Sequence, residues 1–229
     1  ETWAAALEGV RSAYITYFPD LAFPGAVDKL ESLSETAKAA GVNHLVLLSG
    51  RGETHAKLGE EVIRDSGVDF TIVRAAWFAQ NYSEGYLLAP VLAGVLPMPG
   101  GDVAEPIIDI DDIADVVVTA LTEEGHTGEL YEVTGPRLMT FADMAAELSS
   151  AMKRDIQHIP ITYDEFHAEI AQAGGDFVAD VFTAIARETL DGRNAYLCDG
   201  VERALGRPPR DFADFARTAA QSGKWLAAA

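Results

Sequence analysis

The residues of this chain that could do chemistry gather in a few short stretches. Ser49-Gly50 ends one apolar run, and Ala75-Ala76-Trp77-Phe78 ends another. Asn81 and Tyr82 follow at once, and a polar amide beside an aromatic wall suits orienting a carbonyl or quinone oxygen. An equally simple role for Asn81 is to cap the next helix. Lys57 lies two residues from His55, and from the residues alone both read as solvated helix-start residues. Asp109, Asp111, Asp112 and Asp115 invite a metal or acid/base reading. A helix start explains them better, because Asp111 or Asp112 sits where an N-cap belongs and the first turn gains from negative charge. The five histidines are scattered without an i,i+4 pair, and Cys198 is the lone cysteine, so no metal site is proposed and no intrachain disulfide can form.

The elements that must position these groups centre on His44 to Asn81. His44–Gly50 is apolar on both faces, which predicts a strand buried between helices in a parallel sheet. His55 to Ser66 predicts a helix with Leu58, Val62 and Ile63 on its buried face. The pairs Lys57–Glu61 and Glu60–Arg64 fall on the solvated one, and Gly67 is the stop. Asp69 to Arg74 is a second buried strand. Strand, helix and strand in about thirty residues form a right-handed βαβ unit. Ligands of open α/β sheets bind beyond the carboxyl ends of such strands, which puts Ser49-Gly50 and Ala75–Phe78 at a rim.

Upstream, Thr2 reads as the N-cap of a helix stopped by Gly9. Ser12 to Phe18 reads as a strand closed by Pro19, and Gly25 to Ala40 as a helix ended by Gly41. Downstream, Pro97 to Gly101 is a turn cluster and Pro106–Ile108 a short strand. A helix then carries Ile113, Val116, Val117, Ala120 and Leu121 inward. Gly128–Thr134 and Ile156–Ile161 read as strands, and Thr140 with Asp143 as a capping box for a helix to Met152. Helices are expected over Tyr163–Ala173, Phe177–Leu190, Val201–Leu205 and Phe212–Ala220. Ala227-Ala228-Ala229 reads as vector-derived.

The chain of 229 residues is 48% apolar and 23% charged, an ordinary balance for a soluble domain, and its apolar runs are too short for a membrane span. A reducing cytoplasm suits the cysteine count. The net charge of −19, spread along the chain, argues against direct nucleic-acid binding.

Several stretches, taken in order, resemble the NmrA-like atypical short-chain dehydrogenases. They are Ser49-Gly50, Glu60–Arg74 (EEVIRDSGVDFTIVR), Trp77–Asn81 (WFAQN), Pro106–Ala114 (PIIDIDDIA), Leu130–Thr140 (LYEVTGPRLMT) and Asp191–Asp211 (DGRNAYLCDGVERALGRPPRD). Among the branches, the chain looks closest to bacterial NAD(P)H-binding proteins similar to type-2 quinone reductases and the ergot-alkaloid reductase-like group. The resemblance implies an α/β, Rossmann-like doubly wound parallel sheet with a small α/β C-terminal lobe. Residues 1–81 would be the C-terminal half of the NAD(P)-binding domain, with the strand near 128–134 available to its sheet, and 82–229 mostly the substrate-side lobe. It implies NADP or NAD as cofactor and a small-molecule substrate. Hydride would pass to a carbonyl, quinone or imine; the alternative is a non-catalytic redox sensor acting through a protein partner.

By that resemblance, Ala75, Ala76, Trp77 and Phe78 would cover the nicotinamide near Ser49 and Gly50, and Lys57 would reach its ribose. For Trp77 and Phe78 a plain core role stands beside this one. Phe18 and Pro19 would flank the adenine–ribose side, and Tyr17 joins Asn81 and Tyr82 as substrate-side candidates. Two departures stand out. No Tyr-x-x-x-Lys pair, the usual proton donor, occurs anywhere, and Arg51–Glu60 has no tyrosine. No GxTGxxG turn is present either, so the resemblance implies that the phosphate-binding strand and turn precede Glu1 and that these 229 residues alone bind NADPH weakly or not at all.

Overall fold

The computed structural model describes residues 2–225, so the readings of Glu1 and of Ala227-Ala228-Ala229 fall outside the described residues. The chain divides into two compact units. Unit 1 comprises Glu1–Ala75, Ile113–Val133 and Cys198–Arg207; unit 2 comprises Ala76–Asp112, Thr134–Leu197 and Pro208–Ala229.

Unit 1 is a parallel sheet with helices. Strands β1 (Ser12–Ile15), β2 (His44–Gly50), β3 (Asp69–Ala75) and β5 (Leu130–Val133) lie in the order β1-β2-β3-β5. Every neighbouring pair is parallel, with Ser49 opposite Arg74 and Gly50 opposite Ala75. Leu45, Val46 and Leu47 are fully buried, so β2 is covered on both faces, as its unbroken apolar run requires. Leu45 and Leu47 pack with Leu30 and Ala37 of α2 (Ala26–Ala39) and with Ala56 and Ile63 of α3 (Thr54–Asp65). Gly67 follows α3 with φ +75°, the left-handed stop its sequence predicts.

Three readings of unit 1 need correction. β1 ends at Ile15, so Tyr17 and Phe18 lie in the following loop rather than in the strand. Thr2 is the first helical residue of α1 (Thr2–Ala6), not its cap. Leu58 is exposed, whereas Ala56, Gly59, Glu60 and Ile63 form the buried face of α3. Glu60 is buried because cationic and hydroxyl partners meet its carboxylate, which a solvated i,i+4 pair with Arg64 would not require.

Unit 2 is built on a different core. Its pair of strands, β4 (Val95–Met98) and β6 (Gln157–Pro160), is parallel. Pro97 and Met98 therefore belong to a strand, and the turn begins at Pro99. A 3-10 turn (Ala79–Tyr82) and helices α4 (Leu88–Ala93), α6 (Phe141–Met152), α7 (Tyr163–Gly174), α8 (Asp176–Thr189) and α10 (Phe212–Gln221) surround that pair. Tyr82, Leu96, Met98, Met139, Phe141, Met144, Phe212 and Trp225 form an aromatic and methionine-rich centre. Pro106–Ile108 is not a strand: Ile108 makes an isolated bridge to Phe78, and the preceding Glu105 one to Met139. α5 (Ile110–Thr122) starts in unit 2 and α9 (Gly200–Leu205) lies in unit 1. Thr140 and Asp143 form the expected reciprocal capping box of α6.

Candidate functional site

At the carboxyl end of the unit 1 sheet, a polar row crosses the strands. Ser49 of β2 faces Arg74 of β3, which faces Glu132 of β5. Glu60 reaches into this row from α3: it accepts from the Ser49 hydroxyl at 2.7 Å and from Arg74 at 2.6 and 2.8 Å. Glu132 accepts from Arg51 Nε at 2.6 Å and from Arg74 at 3.2 Å. Two guanidinium groups thus oppose two carboxylates. The hydrogen bond from Arg74 to Glu60 also raises the arginine pKa further. Cys198 completes the row. Its thiol donates to Glu132 at 3.3 Å, and burial, aided by that carboxylate, pushes it up to about 11.

The row changes what the rim residues can offer. The Ser49 side chain is buried and committed to Glu60, so Ser49 contributes backbone only. A Cβ at Gly50 would stand 2.1 Å from the Glu53 carboxylate, so glycine is what lets Glu53 fold over the end of β2. Asp20, just past Pro19, is a further acid at this level. Burial raises its pKa, opposed by the Ala22 amide at 2.8 Å and by a hydrogen bond with the Glu53 side chain. Phe18 is 91% exposed, Pro19 and Lys57 are exposed, Tyr17 is half-buried, and Ala75 is buried at the strand end. Arg51, Arg74, Glu132 and Asp20 escaped the sequence reading, because their partners lie far away in the chain or on a neighbouring strand.

The loop after β3 belongs to unit 2 from Ala76 on. Ala76 is buried; Trp77 and Phe78 are half-buried. The Ile108 amide donates to the Trp77 carbonyl at 2.9 Å and the Ala79 amide to the Ile108 carbonyl at 2.8 Å, a bracket around Phe78. The Trp77 indole N–H donates to the Thr189 hydroxyl at 3.3 Å. Asn81 is half-buried in the 3-10 turn, and its carbonyl accepts from the Leu87 amide at 3.2 Å. Tyr82 does not serve as a wall: it is 2% exposed in the unit 2 core, and its hydroxyl meets Met144 Sδ at 2.8 Å. Burial there raises the Tyr82 phenol well above its ordinary value.

The acidic cluster is structural, though the cap is Asp109 rather than Asp111 or Asp112. Asp109 accepts from the Asp111 amide at 3.0 Å and from Gln80 Nε2 at 2.6 Å, while Gln80 Oε1 accepts from the Ile110 amide at 3.0 Å. Asp112 is fully buried and accepts from the Arg210 backbone amide at 2.6 Å. Asp115 pairs with Arg207 at 2.6 Å, and Arg137 with Asp211 at 2.8 Å. The sequence words around Asp112, Arg137 and Arg210 are therefore clamps that join distant segments.

A parallel sheet flanked by helices, with a polar rim at its carboxyl end, defines a Rossmann-like α/β protein. Compared with profiles of protein families, the chain matches none. It is 32% identical over 226 residues to the NAD(P)H azoreductase of Xenophilus azovorans, covering 94% of this chain and 78% of that protein. A (4-alkanoyl-5-oxo-2,5-dihydrofuran-3-yl)methyl phosphate reductase of Streptomyces griseus is 31% identical over 84% of this chain and 71% of its own. Among solved structures, an NADPH-dependent quinone oxidoreductase of Escherichia coli in complex with NADPH superposes with a TM-score of 0.81. It is 22% identical and covers 94% of this chain and 78% of that one. The chain belongs to the NmrA-like atypical short-chain dehydrogenase/reductase family. No helix among the described residues is long and apolar enough to cross a membrane.

Proposed function

We propose that this protein is an NAD(P)H-dependent reductase that passes hydride to a small planar acceptor, a quinone, carbonyl, imine or azo compound. The observation that carries this reading is the 32% identity to an NAD(P)H azoreductase across 94% of the chain. The residues fit a dinucleotide in part. Phe18 and Pro19 offer an open apolar surface past β1, and Lys57 an exposed cation on α3. Ser49, Gly50 and Ala75 offer backbone at the strand ends, and Ala76, Trp77 and Phe78 are the residues assigned to the nicotinamide side.

When bound, the dinucleotide supplies the hydride. The chain's own residues orient and shield. Trp77 and Phe78 present apolar faces on a loop whose backbone is fixed to Ile108, which suits stacking against a flat acceptor. Gln80, the nearer polar residue, is committed to Asp109 and the Ile110 amide, so Asn81, next along, would orient the acceptor oxygen or nitrogen. With no Tyr-x-x-x-Lys pair, the proton that balances the hydride comes from solvent.

The test uses protein expressed from its whole reading frame. NADPH and NADH oxidation is followed with a simple quinone and with an azo dye. Acceptor-dependent oxidation supports the reading, with Trp77→Ala raising KM roughly tenfold, about 1.4 kcal/mol of binding, while thermal stability changes modestly. Tight cofactor binding with no oxidation by any acceptor would instead support a sensor that answers to a protein partner. A Trp77→Ala protein that is strongly destabilised yet binds normally would return Trp77 to the core.

A further inference from the structure

We infer that Thr189 is a positioning residue for acceptor reduction: it sets the angle of the Trp77 ring. This rests on the reading of Trp77 as part of the acceptor wall. The backbone of the Trp77 loop is held on both sides of Phe78 by its two bonds to Ile108. Those bonds fix where the Trp77 Cβ starts, but two side-chain torsions remain. The side chain is half-buried and packs against the unit 2 core, and its one directed bond adds to that packing. The indole N–H is the ring's single donor and has no acceptor capacity. It meets the Thr189 hydroxyl at 3.3 Å.

The polarity of that hydroxyl is fixed from the other side. Thr189 is the last residue of α8 and is 1% exposed, and its O–H donates to the Ile185 carbonyl at 2.8 Å, one turn back. With its proton committed, the oxygen can only accept. A donor-only indole and an acceptor-only hydroxyl leave one arrangement of the pair. The Thr189 carbonyl in turn accepts from Asn194 Nδ2 at 3.4 Å, and Asn194 is itself buried, so the anchor does not swing freely. The ring plane of Trp77 is thereby tied to the end of α8, more than a hundred residues along the chain.

Thr189→Val keeps the shape and removes the acceptor, and Thr189→Ser restores it. The measurements are kcat and KM with the quinone and the azo dye, thermal midpoints, and the indole N–H resonances of 15N-tryptophan-labelled protein, the Trp77 signal being assigned by its loss in Trp77→Phe. The expected result for Thr189→Val is a shifted Trp77 resonance and a KM raised roughly three- to tenfold with kcat little changed, the factor one lost hydrogen bond carries. Thr189→Ser should return both to the wild-type values. An unmoved indole resonance, or a wild-type KM in Thr189→Val while Trp77→Ala raises KM, overturns the inference and leaves the proposed function standing. If Trp77→Ala leaves KM unchanged, it is the acceptor-wall reading that fails. Should Thr189→Val not fold, Thr189→Cys, with a weaker acceptor, is expected to give an intermediate KM, and a wild-type value there counts against the inference.

Discussion

The carboxyl end of the unit 1 sheet and the loop that follows β3 are held by opposite means. In the first, ionised side chains do the holding: Arg51 and Arg74 against Glu60 and Glu132, with Ser49 drawn in. In the second, backbone amides bracket Phe78 and one neutral indole bond anchors Trp77, above a core of aromatic and methionine side chains. The difference follows from what each must resist. Arg74 and Glu132 meet across neighbouring parallel strands, where their charges must be neutralised once they leave water. The loop residues Ala76 to Tyr82 carry no charge, so neutral bonds suffice.

The sharpest way to break this contrast is Glu60→Ala. It strips a buried carboxylate from Ser49 and Arg74 and is expected to cost about 3 kcal/mol, as removal of one partner of a buried pair does. Urea unfolding followed by circular dichroism measures it, and a loss under about 1 kcal/mol would mean the polar row is ornamental. A smaller effect is expected in unit 2 from Thr140→Ala. That change removes a cap that accepts from the Asp143 amide at 3.1 Å and should cost about 1 kcal/mol, visible as a lowered thermal midpoint.

The smallest effect separates the units by pH. Burial lowers the His44 pKa, with the His126 charge adding to it and Asp69 and the Phe70 backbone opposing it, while His44 Nε2 lies 2.9 Å from Thr71 Oγ1. A depressed histidine contributes stability that is whole above its unfolded pKa of about 6.5 and is lost as pH falls through the folded value. The Asp143 and Asp211 carboxyls of unit 2 are lowered instead, chiefly by hydrogen bonds from Thr140 and Arg137, so their share persists until pH drops below the ordinary carboxylate range. Unfolding free energy should therefore begin to fall as pH drops through about 6.5, and His44→Gln should flatten that first decline alone. An unchanged slope would assign the decline elsewhere.

Much of the fold was legible because the signals are local. The bounds of β2, the stop at Gly67 and the capping box at Thr140 are each decided within a few residues. The polar row was not legible, since Glu60 has an apparent partner at Arg64, one turn on, and its stronger partner, Arg74, comes from an adjacent strand. Tyr82 was misread for a related reason. An aromatic beside Asn81 looks the same in sequence whether it faces a ligand or Met144. Likewise Asp109 was passed over as the cap because Asp111 and Asp112 offer the same carboxylate nearby, and what singles Asp109 out is its tie to Gln80, twenty-nine residues away.

The sole thiol has a consequence for chemical durability. The sulfur anion, not the neutral thiol, is the form of cysteine that electrophiles attack. With the Cys198 pKa pushed up to about 11, only on the order of one molecule in ten thousand carries the sulfur anion at neutral pH. Glu132 supplies part of that protection, accepting a hydrogen bond from the S–H and disfavouring a second negative charge beside it, so the carboxylate that neutralises Arg51 also keeps the sulfur protonated.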